Sequence, residues 1–223
     1  MNNDTTLDNA TILTDRIYAV YPELKVAQVE RAPEGQNNTV LIVNDNLIFR
    51  FPRYDEGIDD LVRELRVLRA LQGRAPIPIP DPIYATLSPR VVGQVFVGYE
   101  RLPGVPLSQI PAAALKEDED IRPLALQLGA FLAALHDVPL ASVGINDVSE
   151  ATIYHRWDDI SRRIASQLFP LMRPDARQQV RDHFERFLSD PGTHMLRPTL
   201  THGDFGDSNI LYDPVTRRVT GVI

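Results

Sequence analysis

A change of hydrophobic period at "LPGVPL" (102–107) divides this chain and limits the folds open to it. Apolar residues mostly alternate with polar ones before it and recur every three or four residues after it. Alternation belongs to a half-buried strand, whose side chains point to opposite faces in turn, and the longer period belongs to an amphipathic helix. Strands are therefore expected at "LKVAQVER" (24–31), "NTVLIVND" (38–45), "NLIFRFP" (46–52), near 82–92 and at "QVFVGYER" (94–101). The "VNDN" between the second and third is a tight-turn signal, because Asn and Asp tolerate positive φ. Two helical stripes interrupt this half, at 8–21 and at about 58–72 with Ile58, Leu61, Val62, Leu65 and Leu68. "APIPIPDP" (75–82) is too rich in proline for a helix or a sheet interior and is expected to run extended over the surface.

Beyond residue 107 one stripe runs Ile121, Leu124, Leu128, Phe131, Leu132, Leu135 and a second runs Ile153, Trp157, Ile160, Ile164, Leu168. A third passes through Val180, Phe184, Phe187 and Leu188. The expectation is an α+β chain: a small antiparallel β-rich lobe with one main helix, a Pro/Gly hinge, and a mostly helical lobe.

The composition removes several classes of chemistry. With no cysteine there is no disulfide, thiolate metal site or cysteine nucleophile, which fits a cytoplasmic protein. A net charge of −7 and the lack of a basic, aromatic-laced stripe argue against a nucleic-acid partner and suit a cationic small substrate. The polar, acidic "MNNDTTLDNA" is no secretory signal. The longest apolar stretch, 124–135, is broken by Gln127 and too short to span a bilayer, so no membrane partner is expected.

Chemistry concentrates in "THGDFGDSNIL" (201–211). Asp204 and Asn209 stand five residues apart in a polar loop that leads into the apolar pair Ile210 and Leu211. A carboxylate accepts a proton from an attacking hydroxyl, and an amide oxygen ligates Mg²⁺, a hard ion that prefers oxygen. Phosphoryl transfer needs that pairing, because the protein's task there is mostly positioning and charge neutralisation. A polar turn with both side chains bonded to their own backbone is the plainer alternative.

The loop matches the H-x-D-x-x-x-x-N pattern, and with Gly203 where protein kinases place Arg it resembles the aminoglycoside phosphotransferase and choline kinase superfamily. The likeness is nearest to bacterial aminoglycoside phosphotransferases and extends over essentially the whole chain: "IFRFPR" resembles the third strand, "LVRELRVLRAL" the helix with the paired glutamate, "GYERLPGVPL" the hinge, and "LGAFLAALH" the first long helix of the C-lobe. It implies a protein-kinase-like two-lobe fold, with a nucleotide-binding lobe at 1–101, a hinge at 102–106 and a helical lobe at 107–223. It also implies ATP or GTP with Mg²⁺ as cofactors and γ-phosphoryl transfer to a hydroxyl of an aminoglycoside-like, cationic acceptor. Choline, a macrolide or a sugar amine is an alternative acceptor, and a non-catalytic nucleotide-binding protein an alternative class.

Position by position, the resemblance makes Asp204 the catalytic base, Asn209 a Mg²⁺ ligand and His202 a structural brace. It puts Arg50 where the family has its phosphate-contacting Lys, with Arg53 the competing alignment, and Glu64 where that cation finds its partner. The main chain of Glu100, Arg101 and Leu102 would hold the purine edge, and Gly35, Gln36 and Asn37 would form the loop over the phosphates. A second metal-binding Asp is expected in the position directly after Ile223, so the resemblance implies a chain cut short and inactive by itself.

Overall fold

The computed structural model describes residues 10–32, 37–111, 114–115, 118–146 and 148–223. The chain divides into two compact units, Met1–Val138 together with Thr201–Ile223, and Pro139–Leu200.

The first unit carries a five-stranded antiparallel sheet of β1 (Val29–Arg31), β2 (Asn38–Val43), β3 (Leu47–Pro52), β4 (Tyr84–Thr86) and β5 (Phe96–Glu100), in the order β1-β2-β3-β5-β4. The expected strands at 24–31 and 82–92 shorten to three residues each. β2 and β3 turn through Asn44 and Asp45, both at positive φ (52° and 61°). Such a turn twists in the same sense as the strands it joins. Asn44 fixes the approach to β1 as well, accepting from the Ala27 N–H at 2.7 Å and donating to the Lys25 carbonyl at 2.7 Å.

Helices cover both faces of this sheet. Leu13 and Ile17 of α1 (Ala10–Val20) are fully buried against Leu41, Val43, Leu47, Phe49, Phe51 and Phe96. Burying each contributes roughly 1.5–3 kcal/mol. On the other face Ile58 and Leu61 of α2 (Asp55–Leu71) pack with Val95, Val97 and Tyr99. Because β3 alternates, Leu47, Phe49 and Phe51 belong to the first face, which leaves Ile48 and Arg50 on the second.

The proline-rich segment 75–82 corrects the expectation of a surface connector. Ile77, Ile79 and Pro80 are buried, and the Pro78 carbonyl accepts from the Val222 N–H at 3.1 Å. An extended chain buries alternate side chains whether or not it joins a sheet.

A second antiparallel sheet, β6 (Val105–Pro106), β7 (Ile210–Asp213) and β8 (Arg218–Val222), lies within the same unit. It takes up part of the expected hinge: Val105 pairs with Tyr212 and Pro106 with Leu211. Pro106 is tolerated because β6 is an edge strand, where no second partner needs its missing N–H. α3 (Asp118–His136) buries Phe131 and Leu135, and its Gln127 accepts from the Val219 N–H at 3.2 Å. Ile121, placed on the apolar stripe, is instead exposed.

Between β7 and β8, Thr216 Oγ1 and the Val215 N–H donate to the Asp213 carboxylate (2.8 and 2.9 Å) and hold its pKa below the ordinary 3.8. A carboxylate lowered on folding adds stability above its unfolded pKa and loses it as pH falls through the folded one. The stability difference between the wild type and Asp213→Ala is therefore expected at about pH 5 and above. It shrinks to nothing in acid titrations that run below the ordinary carboxylate range. A difference independent of pH would refute the assignment.

The second unit holds α4 (Glu150–Gln167) and α5 (Pro174–Ser189). A capping box of Ser149 and Thr152 starts α4. Trp157 meets Phe187 edge to face, with ring centroids 5.7 Å apart. Among the described residues no helix is long and apolar enough to cross a membrane.

Candidate active site

Arg50 and Glu64 stand in contact. Arg50 Nη1 donates to Glu64 Oε1 in an ion pair between β3 and α2. The contact follows from two periodicities, since Arg50 shares its face with Ile48 and Glu64 lies one turn along from Leu61 on the helix covering that face. Tyr99 of β5 lies on the same face of the sheet, diagonal to Arg50 across the β3–β5 register. Burial opposes the charge on Arg50, yet Glu64 and Tyr99 outweigh it and hold the guanidinium above its ordinary pKa. Burial also raises the Tyr99 phenol, with Arg50 pulling the other way. Arg53, the competing alignment, makes no ion pair among the described residues, and its N–H donates to the Asn37 carbonyl at 3.0 Å.

The end of β5 leaves backbone groups unpaired. Glu100 stands opposite Leu47, and the Arg101 N–H donates to the Asn46 carbonyl at 2.7 Å. Backbone groups alternate sides along a strand, so the Glu100 N–H and carbonyl point away from β3. On that side the β4 register ends with Tyr84 opposite Gly98. Two residues further it would bring Pro82, which has no N–H to offer. The Glu100 carbonyl thus has no partner in the sheet among the described residues, while Arg101 gives its N–H to Asn46.

The catalytic-type loop is tied at both ends. Asn209 Nδ2 donates to the Asp204 carbonyl and to Asp204 Oδ2, each at 2.8 Å. The Asn209 N–H bonds the Gly206 carbonyl at 3.0 Å, and its carbonyl accepts from the Ile223 N–H at 2.9 Å. Asp204 stays exposed on a loop whose far end is anchored by β7. Gly203 sits at φ +83°, a conformation an L side chain enters only at a cost of about 1–2 kcal/mol. His202 lies edge-on to Phe131 and Phe205 (6.5 and 5.5 Å), and those two rings stack at 5.8 Å. Its Nδ1 is buried without a hydrogen-bond partner among the described residues. The strand-paired connector reaches this loop, since the Ser108 N–H donates to the Asp207 carbonyl at 3.1 Å and Thr220 Oγ1 to the Pro103 carbonyl at 2.7 Å.

The sequence-expected residues thus form three groups: Arg50 with Glu64, the backbone of 100–102, and Asp204 with Asn209 beside His202. No hydrogen bond or ion pair joins Arg50 or Glu64 to Asp204 or Asn209 among the described residues. Gly35 and Gln36 lie outside the described residues, and Asn37 is exposed. Tyr99, Phe131 and Phe205 were not foreseen; only Phe205, inside the motif, carried a signal that could have found it. Asp158 is paired with Arg162 along α4.

The donor set suits Mg²⁺ bound together with phosphate. With Nδ2 committed to Asp204, Asn209 keeps Oδ1 as its acceptor, and the Asp204 carboxylate adds a second hard oxygen. No group of three or more metal-ligating His, Cys, Asp or Glu side chains occurs among the described residues.

Comparison with known proteins places the fold and the family. The GDP complex of wild-type aminoglycoside 2'-phosphotransferase-IIIa superposes with a TM-score of 0.82 at 27% identity, covering 96% of this chain and 72% of that one. The GDP and kanamycin complex of APH(2″)-IIIa gives 0.78 at 27% identity, over 94% and 70%. A macrolide 2'-phosphotransferase type I gives 0.66 at 25% identity, over 100% and 72%. No curated protein sequence matches. The kinase-like α+β fold expected from the sequence is therefore the fold observed. The profile of the phosphotransferase enzyme family runs through residues 28–223, taking in both sheets and the Asp204–Asn209 loop, so this chain belongs to that family and is a phosphotransferase with an alcohol group as acceptor.

Proposed function

We propose that the protein transfers the γ-phosphoryl group of ATP or GTP to a hydroxyl of an aminoglycoside-like acceptor, working in the cytoplasm. The observation that carries this reading is the clamp of Asn209 on Asp204, which aims a carboxylate and an amide oxygen from one short, strand-anchored loop. Support for the acceptor comes from solved relatives bound to GDP and kanamycin and from the acidic balance of the chain. The match to a macrolide phosphotransferase supports a macrolide as the second reading.

In this mechanism the Asp204 carboxylate accepts the proton of the acceptor hydroxyl as its oxygen bonds to the γ-phosphorus. The bond from that phosphorus to the β–γ bridging oxygen breaks, and nucleoside diphosphate leaves. Arg50 contacts the phosphates, and Glu64 holds its guanidinium in place from α2. The Glu100 carbonyl and Leu102 N–H bind the purine. Asn37 belongs to the loop over the phosphates, with the nucleotide lobe at 1–101, the connector at 102–106 and the acceptor lobe within 107–223. Asn209 Oδ1 would hold Mg²⁺, which would neutralise phosphate charge when bound.

Thermal-shift titration with ATP and GTP, each with and without Mg²⁺, tests the reading. The expected result is a midpoint raised by nucleotide and raised further by Mg²⁺, with Asn209→Ala losing the second increment only. No shift with either nucleotide overturns it. Transfer assays with kanamycin-type and macrolide acceptors then choose between the two readings.

A further inference from the structure

We propose that Tyr99 is a positioning residue that, with Glu64, fixes the plane of the Arg50 guanidinium and aims its free N–H groups at the nucleotide phosphates. The inference rests on the nucleotide-binding reading above and adds a residue that the motif does not contain.

In the sheet register Arg50 faces Val97 and Ile48 faces Tyr99, so Arg50 and Tyr99 share one face on a diagonal between adjacent strands. Long side chains reach each other across such a diagonal. The Tyr99 ring is only 7% exposed and packs with Ile58, Leu61, Val95 and Val97, so its position is set by the core. Glu64 approaches the same guanidinium from α2. One attachment would leave the guanidinium free to swing about that contact, whereas two from different elements define its plane. Five N–H donors are available on the fork, so both attachments leave donors for phosphate. Burial keeps the phenol protonated, so Tyr99 aligns the cation without cancelling its charge. Tyr99 also directly precedes Glu100, whose backbone belongs to the proposed purine edge. Base and phosphate contacts are therefore set by one strand end.

The experiment compares the full chain with Tyr99→Phe, which keeps the ring and removes the hydroxyl. Calorimetric titration with Mg-ATP and Mg-GTP is run beside adenosine and guanosine. Triphosphate affinity is expected to fall roughly tenfold, as for loss of a hydrogen bond to a charged group. Nucleoside affinity and the thermal midpoint are expected to stay unchanged. In an Arg50→Lys background, Tyr99→Phe is expected to add little, because a lysine ammonium has no plane to fix. Independently of any nucleotide, the ¹⁵N signals of the Arg50 side chain report restricted guanidinium rotation in the wild type and free rotation in Tyr99→Phe.

Unrestricted rotation in the wild type, or rotation unaltered by Tyr99→Phe, overturns the proposal. So does an equal loss for nucleoside and triphosphate, which would make Tyr99 a base contact. A restricted guanidinium in a wild type that binds no nucleotide overturns the functional reading of the site and reduces Tyr99 to a structural residue.

Discussion

Asp204→Asn, in a protein that carries the Asp expected after Ile223, is expected to lower kcat for phosphoryl transfer by about 10²–10⁴-fold, the range for removal of a general base, while nucleotide binding stays within a factor of two or three. The substitution isolates charge and basicity from shape. The new amide oxygen still accepts from Asn209 Nδ2 where Asp204 Oδ2 does now, at 2.8 Å, and the loop keeps its bonds from Gly206 and Ile223. What is lost is the group that takes the hydroxyl proton. Steady-state kinetics with saturating nucleotide measures the fall, and a fluorescent nucleotide titration checks binding. Activity within tenfold of wild type would remove Asp204 from the proposed role. Equal loss of binding and turnover would make it a residue that only holds the nucleotide.

The largest expected effect on stability lies far from the chemistry. Phe49→Ala should cost about 3–5 kcal/mol, the usual range for truncating a buried aromatic. Phe49 is fully buried at the centre of the sheet, with the Tyr84 ring at 5.4 Å and the Phe96 ring at 5.7 Å. The opposing strand has made room for it: a Cβ on Gly98 would come within 2.6 Å of the Phe49 ring. Neighbours on three strands cannot all close over the cavity, so most of the cost remains. Urea unfolding checks the value, and a loss below about 1 kcal/mol would show a core more adaptable than this packing allows. Gly98→Ala tests the same contact from the other side. It should destabilise by itself and do so less in a Phe49→Leu background, where the flexible smaller side chain can yield.

The two effects separate what the chain needs in order to fold from what it needs in order to react. Phe49 was legible as a core residue because it alternates with Ile48 and Arg50 in "NLIFRFP", and the same alternation predicted that Arg50 would face away from it. The helical stripe at 58–72 gave Glu64 its place beside the apolar face, and the pair formed accordingly. Asp204 and Asn209 were legible by spacing alone, since five residues in one loop are enough to bring them together.

Less was visible wherever pairing partners lie far apart in sequence. β6 has two residues, one of them proline, and no two-residue segment can show a period; it exists because β7, a hundred residues later, offers it backbone groups. The inward turn of Ile77 and Ile79 depends in the same way on the buried β8 that runs beside them. Tyr99 looked like one more apolar position of a strand until the register set it diagonal to Arg50. The sequence by itself determined the elements, the two faces of the sheet and the chemistry of the loop, because those follow from period and spacing within a few residues. Only the tertiary structure decided which distant segments share a sheet, and so which residue of β5 stands diagonal to Arg50 on its face, because long-range pairing leaves no local mark in the order of residues.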